Sequence, residues 1–287
     1  MLGARKEQMY MIEHNNRLNA KKLAEYITGN TLRKYVAKKV GHYVGDDIIV
    51  FDGACGSGQL EQYVKSKKII GIDVQEECCK AFLKNFSNSE VRNMSFFLFD
   101  ENIKVDCVLM NPPFSIAFND LSDMERALIQ RDFRWKKNGK VDDIFVLKSL
   151  KYTKRYAFYI LFPGVAYRGT EKVFRELIGN MLLELNLIRN AFDDTNIDVL
   201  CIVIDKDKTS DELHREIYDC KKEIIITNDT ANIVSDVWEV LREMVITEEV
   251  DIKALEAQIE LIKQKRRAIE DELDFFIEKE VKPLLNL

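Results

Sequence analysis

At 287 residues, with 46% apolar and 32% charged side chains, the chain has room for one large core and an appendage. Its three histidines (His14, His42, His214) and its six cysteines without a CxxC pair argue against a zinc centre or a His-based triad. No membrane-length apolar run or signal-peptide pattern is present, so the expectation is a cytoplasmic chain with reduced thiols, no metal and no membrane partner.

The net charge of −5 is uneven: residues 1–45 carry nine Lys/Arg against three Glu, a balance of +6, so the remainder sums to −11. A locally basic groove could still face nucleic acid, but the total argues against tight duplex binding by the chain alone. Leu18, Leu23, Ile27, Leu32, Val36 and Val40 recur at spacings of three to five, which predicts a helical segment over 1–45 with Gly29 as an interruption. From Ile48 strands and helices alternate. A buried strand over 47–51 ends in the glycine turn Asp52-Gly53-Ala54-Cys55-Gly56-Ser57-Gly58, and a helix is expected to begin over 59–65. A second strand at 68–73 ends at Asp73, a helix follows at 76–86, a third strand at 95–99 ends at Asp100, and a fourth at 105–110 leads into Asn111. Strands at 156–162 and 199–205, with a helix at about 171–185 between them, continue the series. This alternation predicts an α/β, Rossmann-like fold, a mostly parallel sheet flanked by helices, with its ligand beyond the carboxyl ends of the strands.

Four segments are expected: a helical 1–45, a catalytic domain at 46–206, a small α/β extension at 207–249 and a C-terminal helix at 250–287. In the last, Ile252, Leu255, Ile259, Ile262, Arg266, Ile269, Leu273 and Phe276 alternate spacings of three and four, a heptad seam with one arginine at a core position. It reads as a coiled-coil-like helix that docks on its own domain or on a partner.

The chemistry concentrates at the strand ends. A glycine turn brings backbone amides close to a ligand, but the order is G-x-x-G-x-G, neither the dinucleotide fingerprint nor a phosphate loop. Asp73, 15 residues past Gly58, suits the two hydroxyls of a ribose, and Asp100 is placed to accept from an adenine amino group. Asn111-Pro112-Pro113-Phe114 stands 53 residues beyond the turn. Asn111 offers a side-chain carbonyl, Pro112 has a carbonyl but no N–H, and Phe114 offers an aromatic face. Together they form a grip for a planar exocyclic amine beside a nucleoside-bearing cofactor. The segment 131–140, with Arg131, Arg134, Trp135, Lys136 and Lys137, mixes basic and aromatic residues and could meet a phosphate backbone, or be a solvated loop.

Phe51-Asp52-Gly53-Ala54-Cys55-Gly56-Ser57-Gly58 resembles the S-adenosylmethionine loop of gamma-class adenine-N6 DNA methyltransferases, usually DPACGSG, and Asn111-Pro112-Pro113-Phe114 matches their catalytic tetrapeptide. Tyr26-Ile27-Thr28 is similar to the aromatic-x-Thr segment that touches the cofactor's methionine end, with Gly29 where the family has proline. The segments 162–169 and 190–195 resemble later family segments, with Phe192 as a second aromatic of the target pocket. The resemblance covers about residues 20–206 and extends to type I restriction-modification modification subunits, most of which are much longer.

It implies a fold and a function. Thr28, Asp52, Gly53, Ala54, Cys55, Gly56, Gly58, Asp73, Asp100 and Asn111 would hold S-adenosylmethionine. An adenine flipped out of double-stranded DNA would lie between Phe114 and Phe192, its amino hydrogens accepted by Asn111 and the Pro112 carbonyl. RNA adenine, a protein glutamine amide, or a non-catalytic assembly role are the alternatives. No target-recognition domain is visible, since about 45 residues separate Asp205 from the heptads. The expected partner is therefore a separate specificity subunit, or a second copy, joined through the C-terminal helix.

Overall fold

The computed structural model describes residues 28–192, 197–234 and 236–242, together with 260, 262–267, 269–270, 273 and 279. The chain divides into two units, Met1–Glu243 and Met244–Leu287.

In the first unit the most apolar runs become the middle of one sheet. β1 (Ile48–Asp52) pairs in parallel with β2 (Ser66–Asp73) on one side and β4 (Val105–Met110) on the other. β3 (Glu90–Asn93) lies outside β2, and β5 (Thr153–Leu161) outside β4. The sheet continues through β7 (Val199–Asp205), β6 (Leu182–Arg189), β8 (Glu212–Asp219) and β9 (Ile224–Asn232), in the order β3-β2-β1-β4-β5-β7-β6-β8-β9. β7 runs antiparallel to both neighbours, and β9 is antiparallel to β8. Side chains alternate between two apolar layers: Val50, Cys107, Leu109 and Phe158 face one, and Phe51, Val108, Met110 and Tyr159 face the other. The chain runs outward from β1 to β3, then returns to place β4 on β1's other side. That reversal opens a crevice at the carboxyl ends of β1 and β4.

α1 (Asn30–Tyr43) buries Leu32, Tyr35, Val36 and Val40, and the interrupting Gly29 is its N-cap. The expected helical residues before Thr28 lie outside the described residues. α2 (Glu76–Asn85) links β2 to β3. α3 (Asp123–Asp132) and α4 (Asp142–Ser149) lie between β4 and β5, where sequence periodicity is weak. α3 is nonetheless marked by Ser122 and Glu125, a reciprocal capping box.

Three local expectations are corrected. Residues 59–63 form turns rather than a helix, because only seven residues separate Gly58 from β2 and Leu60 and Glu61 must both turn inward. The third strand is β3, a polar edge strand; Phe96–Leu98 is a 3-10 turn, its first amides capped by the Ser95 hydroxyl. Phe96, Phe97 and Phe99 are all buried, which an alternating strand could not achieve with one face to solvent. The helix expected at 171–185 is α5 (Lys172–Ile178), which ends at Gly179, and the residues beyond it pair as β6. Among the described residues no helix is long and apolar enough to cross a membrane.

In the second unit Ile262 and Ile269 of the heptad seam are described and exposed, as is Leu273, and Arg266 donates to Glu270 at 2.8 Å. Ile252, Leu255, Ile259 and Phe276 lie outside the described residues.

Two loop glycines are fixed by close approach. At Gly53 a Cβ would come within 2.6 Å of Phe96 Cδ2, so the aromatic of the 3-10 turn fills the space that the proline of DPACGSG would need. Gly58 has φ +83°, and a Cβ there would sit 2.2 Å from Phe86 Cε2. Gly58→Ala combines a left-handed backbone with overpacking, so it should destabilise the fold by about 2–4 kcal/mol. Urea unfolding measures this; a change under about 0.5 kcal/mol would show that the loop relaxes freely.

Candidate active site

A cavity of about 190 Å³ opens at the crevice, lined by Asp52, the turn residues 53–57, Asp73, Asn111-Pro112-Pro113-Phe114 and residues 94–97. Asp52 ends β1, Asp73 ends β2 and Asn111 follows β4, so three of the four expected strand-end groups converge.

Each is held by the backbone around it. Asp73 Oδ2 accepts from Gly56 N at 2.9 Å and its Oδ1 from Gln75 N at 2.8 Å, tying the glycine turn to the end of β2. Asp52 Oδ1 accepts from Ala54 N at 2.8 Å, which bends the chain off β1 into the turn. Cys55 N donates to Ile72 O at 2.9 Å. Gly58 lies beyond the cavity wall and packs on Phe86.

Asn111 is positioned from across the cavity. Its Nδ2 donates to Thr28 Oγ1 at 3.2 Å, 83 residues away in sequence. Thr28 is itself fixed: its N–H donates to Gln59 Oε1 at 3.0 Å, its carbonyl accepts from Arg33 Nε at 2.6 Å, and it bridges to Phe192. With Nδ2 committed, Asn111 Oδ1 is buried and meets no donor among the described residues. A desolvated carbonyl left this way costs about 1–3 kcal/mol, which a ligand donor would recover.

Phe114 lines the cavity, whereas Phe192 does not. Their rings lie 6.5 Å apart at 58°. A base sandwiched face to face needs parallel rings about 7 Å apart, twice the contact distance. Phe192 packs on Phe114 and bridges to Thr28, and the described rings do not stand parallel for a face-to-face sandwich.

Asp100 also falls outside. The 3-10 turn carries it past the sheet's edge, where it pairs with Lys151 at 3.1 Å. Within 131–140, Arg134 and Lys137 are exposed and Arg131 pairs with its neighbour Asp132. Trp135 is half-buried beside Phe133. Lys136 is not a surface cation: it is 1% exposed and 2.6 Å from Asp143, at the start of α4. Burial pushes Asp143 up to about 7 and Asp142 up to about 6, and the charges of Lys136 and Arg168 oppose that rise. This buried cluster, joined by Glu171, anchors the segment that follows the tetrapeptide.

Several site residues gave no sequence signal. Gln59 reaches the site because the 59–63 turn replaces a helix. Glu61 is fully buried, neither of its oxygens meets a donor, and its carboxyl faces Asp52. Burial pushes Asp52 up to about 7, while hydrogen bonds from Glu61 and the Ala54 amide favour its charged form. Burial raises Glu61 well above the carboxylate range, and the charge of Asp52 raises it further. Burial and their mutual charge thus favour keeping a proton on this pair, with Glu61 the stronger holder. Ser95 and Glu125 line the cavity as a hydrogen-bonded pair.

Among known proteins, the family described as N-6 DNA Methylase matches residues 6–271. The methyltransferase subunit of a type I restriction-modification system from Streptococcus thermophilus is 20% identical, with a TM-score of 0.57, over 76% of this chain and 51% of that one. A chain of a type I R-M assembly gives a TM-score of 0.63 at 13% identity, over 92% and 68% of the two chains. A putative class I S-adenosylmethionine-dependent methyltransferase from Listeria monocytogenes gives 0.57 at 14% identity, over 72% and 68%. These likenesses show the fold, that of class I S-adenosylmethionine-dependent methyltransferases. The chain spans about half the length of the Streptococcus subunit. No curated protein matches it.

The Asp52–Glu61 pair has a pH signature. A carboxyl whose pKa is raised in the fold binds its proton more tightly when native, so its stabilising effect is full below the unfolded pKa of about 4.3. That effect is lost as pH rises through the raised value. Glu61→Gln removes the titration but keeps the size, so its thermal midpoint should gain on wild type between pH 5 and pH 8. An offset equal at both pH values would show that Glu61 is not held protonated.

Proposed function

The chain belongs to the N-6 DNA methylase family, and from that premise we propose that it transfers the methyl group of S-adenosylmethionine to the exocyclic N6 amine of adenine in DNA. The observation that carries this reading is Asn111, a residue of the cavity lining whose Oδ1 is a buried acceptor that meets no donor among the described residues. An amine whose nitrogen gains positive charge as it attacks the methyl group, and sheds a proton afterwards, is the donor that such an acceptor suits.

The residues present fit the cofactor. Asp73, held at the end of β2 by the amides of Gly56 and Gln75, puts a carboxylate in the cavity lining, the acceptor that ribose hydroxyls need. The backbone of Gly53-Ala54-Cys55-Gly56 lines the same cavity, as do Asp52 and Thr28. When bound, S-adenosylmethionine supplies an electrophilic methyl on a sulfonium. Everything else asked of the chain is binding and orientation: Phe114 presents a face for the base, and Asn111 Oδ1 with the Pro112 carbonyl accepts the two amino hydrogens. These bonds strengthen as the nitrogen turns cationic, so they stabilise the transition state more than the ground state. No side-chain nucleophile is required.

We further propose that the chain is the modification subunit of a restriction-modification-like system and acts on DNA in the cytoplasm beside a separate specificity subunit. The family, the type I architecture of its structural neighbours and the exposed Ile262, Ile269 and Leu273 support this. The 250–287 segment is the docking element in this account. A core-position Arg266 suits a polar partner better than a symmetric coil.

Two experiments test the reading. Asn111→Ala should leave S-adenosylmethionine affinity within about threefold of wild type by calorimetry, yet slow transfer of a tritiated methyl group at least about 10²-fold. Asp73→Ala should do the reverse, weakening the cofactor about 10- to 100-fold through lost charge-assisted hydrogen bonds. Wild-type turnover in the asparagine variant would end the adenine-amine mechanism. For the partner, deleting 250–287 should abolish activity that depends on the specificity protein encoded beside it. Efficient sequence-specific methylation by the truncated chain alone would refute that assignment.

A further inference from the structure

Part of the cavity lining comes from the segment after β3 and from residues 116–125. With Phe145, the apolar lining here is Met94, Phe96, Phe97, Ile116 and Leu121, beside one polar pair, the hydroxyl of Ser95 and the carboxylate of Glu125. Phe96 and Phe145 stack at 5.2 Å and 13°, which gives this slot a flat wall. An apolar slot of this shape takes a flat ring, and its few polar atoms decide which ring.

The hydrogen bonds around Glu125 fix what the pair offers. Glu125 Oε2 accepts from Ser122 N at 2.9 Å and from Ser122 Oγ at 2.6 Å, and Oε1 accepts from Ser95 Oγ. An ionised carboxylate has about four lone-pair sites, so three are used and one is left, on Oε1. The Ser95 hydroxyl spends its only proton on Glu125, so the slot presents a side-chain acceptor and no side-chain donor. Burial would raise the Glu125 carboxyl, but the bonds from Ser122 and Ser95 hold it below the usual range, so it stays charged. The capping box fixes its position: Glu125 stands three residues after the N-cap of α3, and Ser122 holds it in place.

We propose that Glu125 reads the adenine of the cofactor, its Oε1 accepting a hydrogen bond from the ring's exocyclic 6-amino group. This rests on the cofactor reading above and assigns to α3 the role that the sequence suggested for Asp100. A slot with an acceptor and no donor favours a 6-amino ring and rejects a 6-oxo ring, which would set two lone-pair oxygens against each other. Glu125 is thus a specificity residue, and the reacting methyl group lies outside its reach in this assignment.

The test compares S-adenosylhomocysteine with S-inosylhomocysteine, whose ring has a 6-oxo group and an N1–H in place of the 6-amino group and the bare N1, by calorimetry on the full chain. Wild type should bind the adenine compound about 10- to 100-fold more tightly, the range of one charge-assisted hydrogen bond. Glu125→Gln should narrow the preference to within about threefold or invert it, because an amide can donate to the 6-oxo group. Glutamine also serves at this capping position, so the helix start is kept. Ser95→Ala leaves the carboxylate in place and should keep the wild-type preference. Equal affinity of wild type for the two compounds, or an undiminished preference in Glu125→Gln, would overturn the assignment and leave the cofactor site standing. Wild type that binds neither compound would overturn the cofactor reading together with it.

Discussion

An amide side chain has to be held with its carbonyl bare. Asn111 can offer Oδ1 to a ligand only if Nδ2 is satisfied elsewhere and the side chain cannot turn. The donor bond to Thr28 Oγ1 supplies both conditions. That bond joins the end of β4 to residues that precede α1, so it needs Thr28 in place. Thr28 in turn depends on Gln59 from the turn after the glycine loop, on Arg33 from α1 and on the bridge to Phe192. Four separate segments converge on the orientation of one amide.

The same region carries buried charge at a cost that the fold must offset. Two carboxyls behind the glycine loop share one proton, and a second group, Lys136 with Asp143 and Asp142 with Arg168, secures the chain after the tetrapeptide. Removing one member of a buried pair leaves an uncompensated charge and is more damaging than replacing both. These clusters tie the loops of the site to the core through buried side chains. Such anchoring matters here because the proposed chemistry is orientation: a bare carbonyl displaced by an ångström no longer meets its amine.

What was legible in the sequence follows from this. The central strands were readable because strands buried on both faces appear as continuous apolar runs, and the residue that ends such a run lands at the crevice. Asp52, Asp73 and Asn111 were found that way. β3 was missed because an edge strand of Glu-Val-Arg-Asn has no such run, while the aromatic cluster beside it imitates one. That imitation places the expected adenine acceptor at Asp100, which is exposed and paired with Lys151. Glu61 and Lys136 look like surface residues, and only the three-dimensional pairing with Asp52 and Asp143 explains their burial. The Ser122-Glu125 capping box was present in the sequence and would have placed α3, but not the direction of Glu125 toward the cavity.

The central claim is that the bare Asn111 carbonyl serves an adenine amine in DNA. The most direct measurement is to incubate the protein, alone and with the product of its neighbouring gene, with S-adenosylmethionine and unmodified duplex DNA, and to analyse the digested nucleosides by mass spectrometry. The account predicts N6-methyldeoxyadenosine as the product. Methylation found only on cytosine, on RNA or on a protein amide would contradict it.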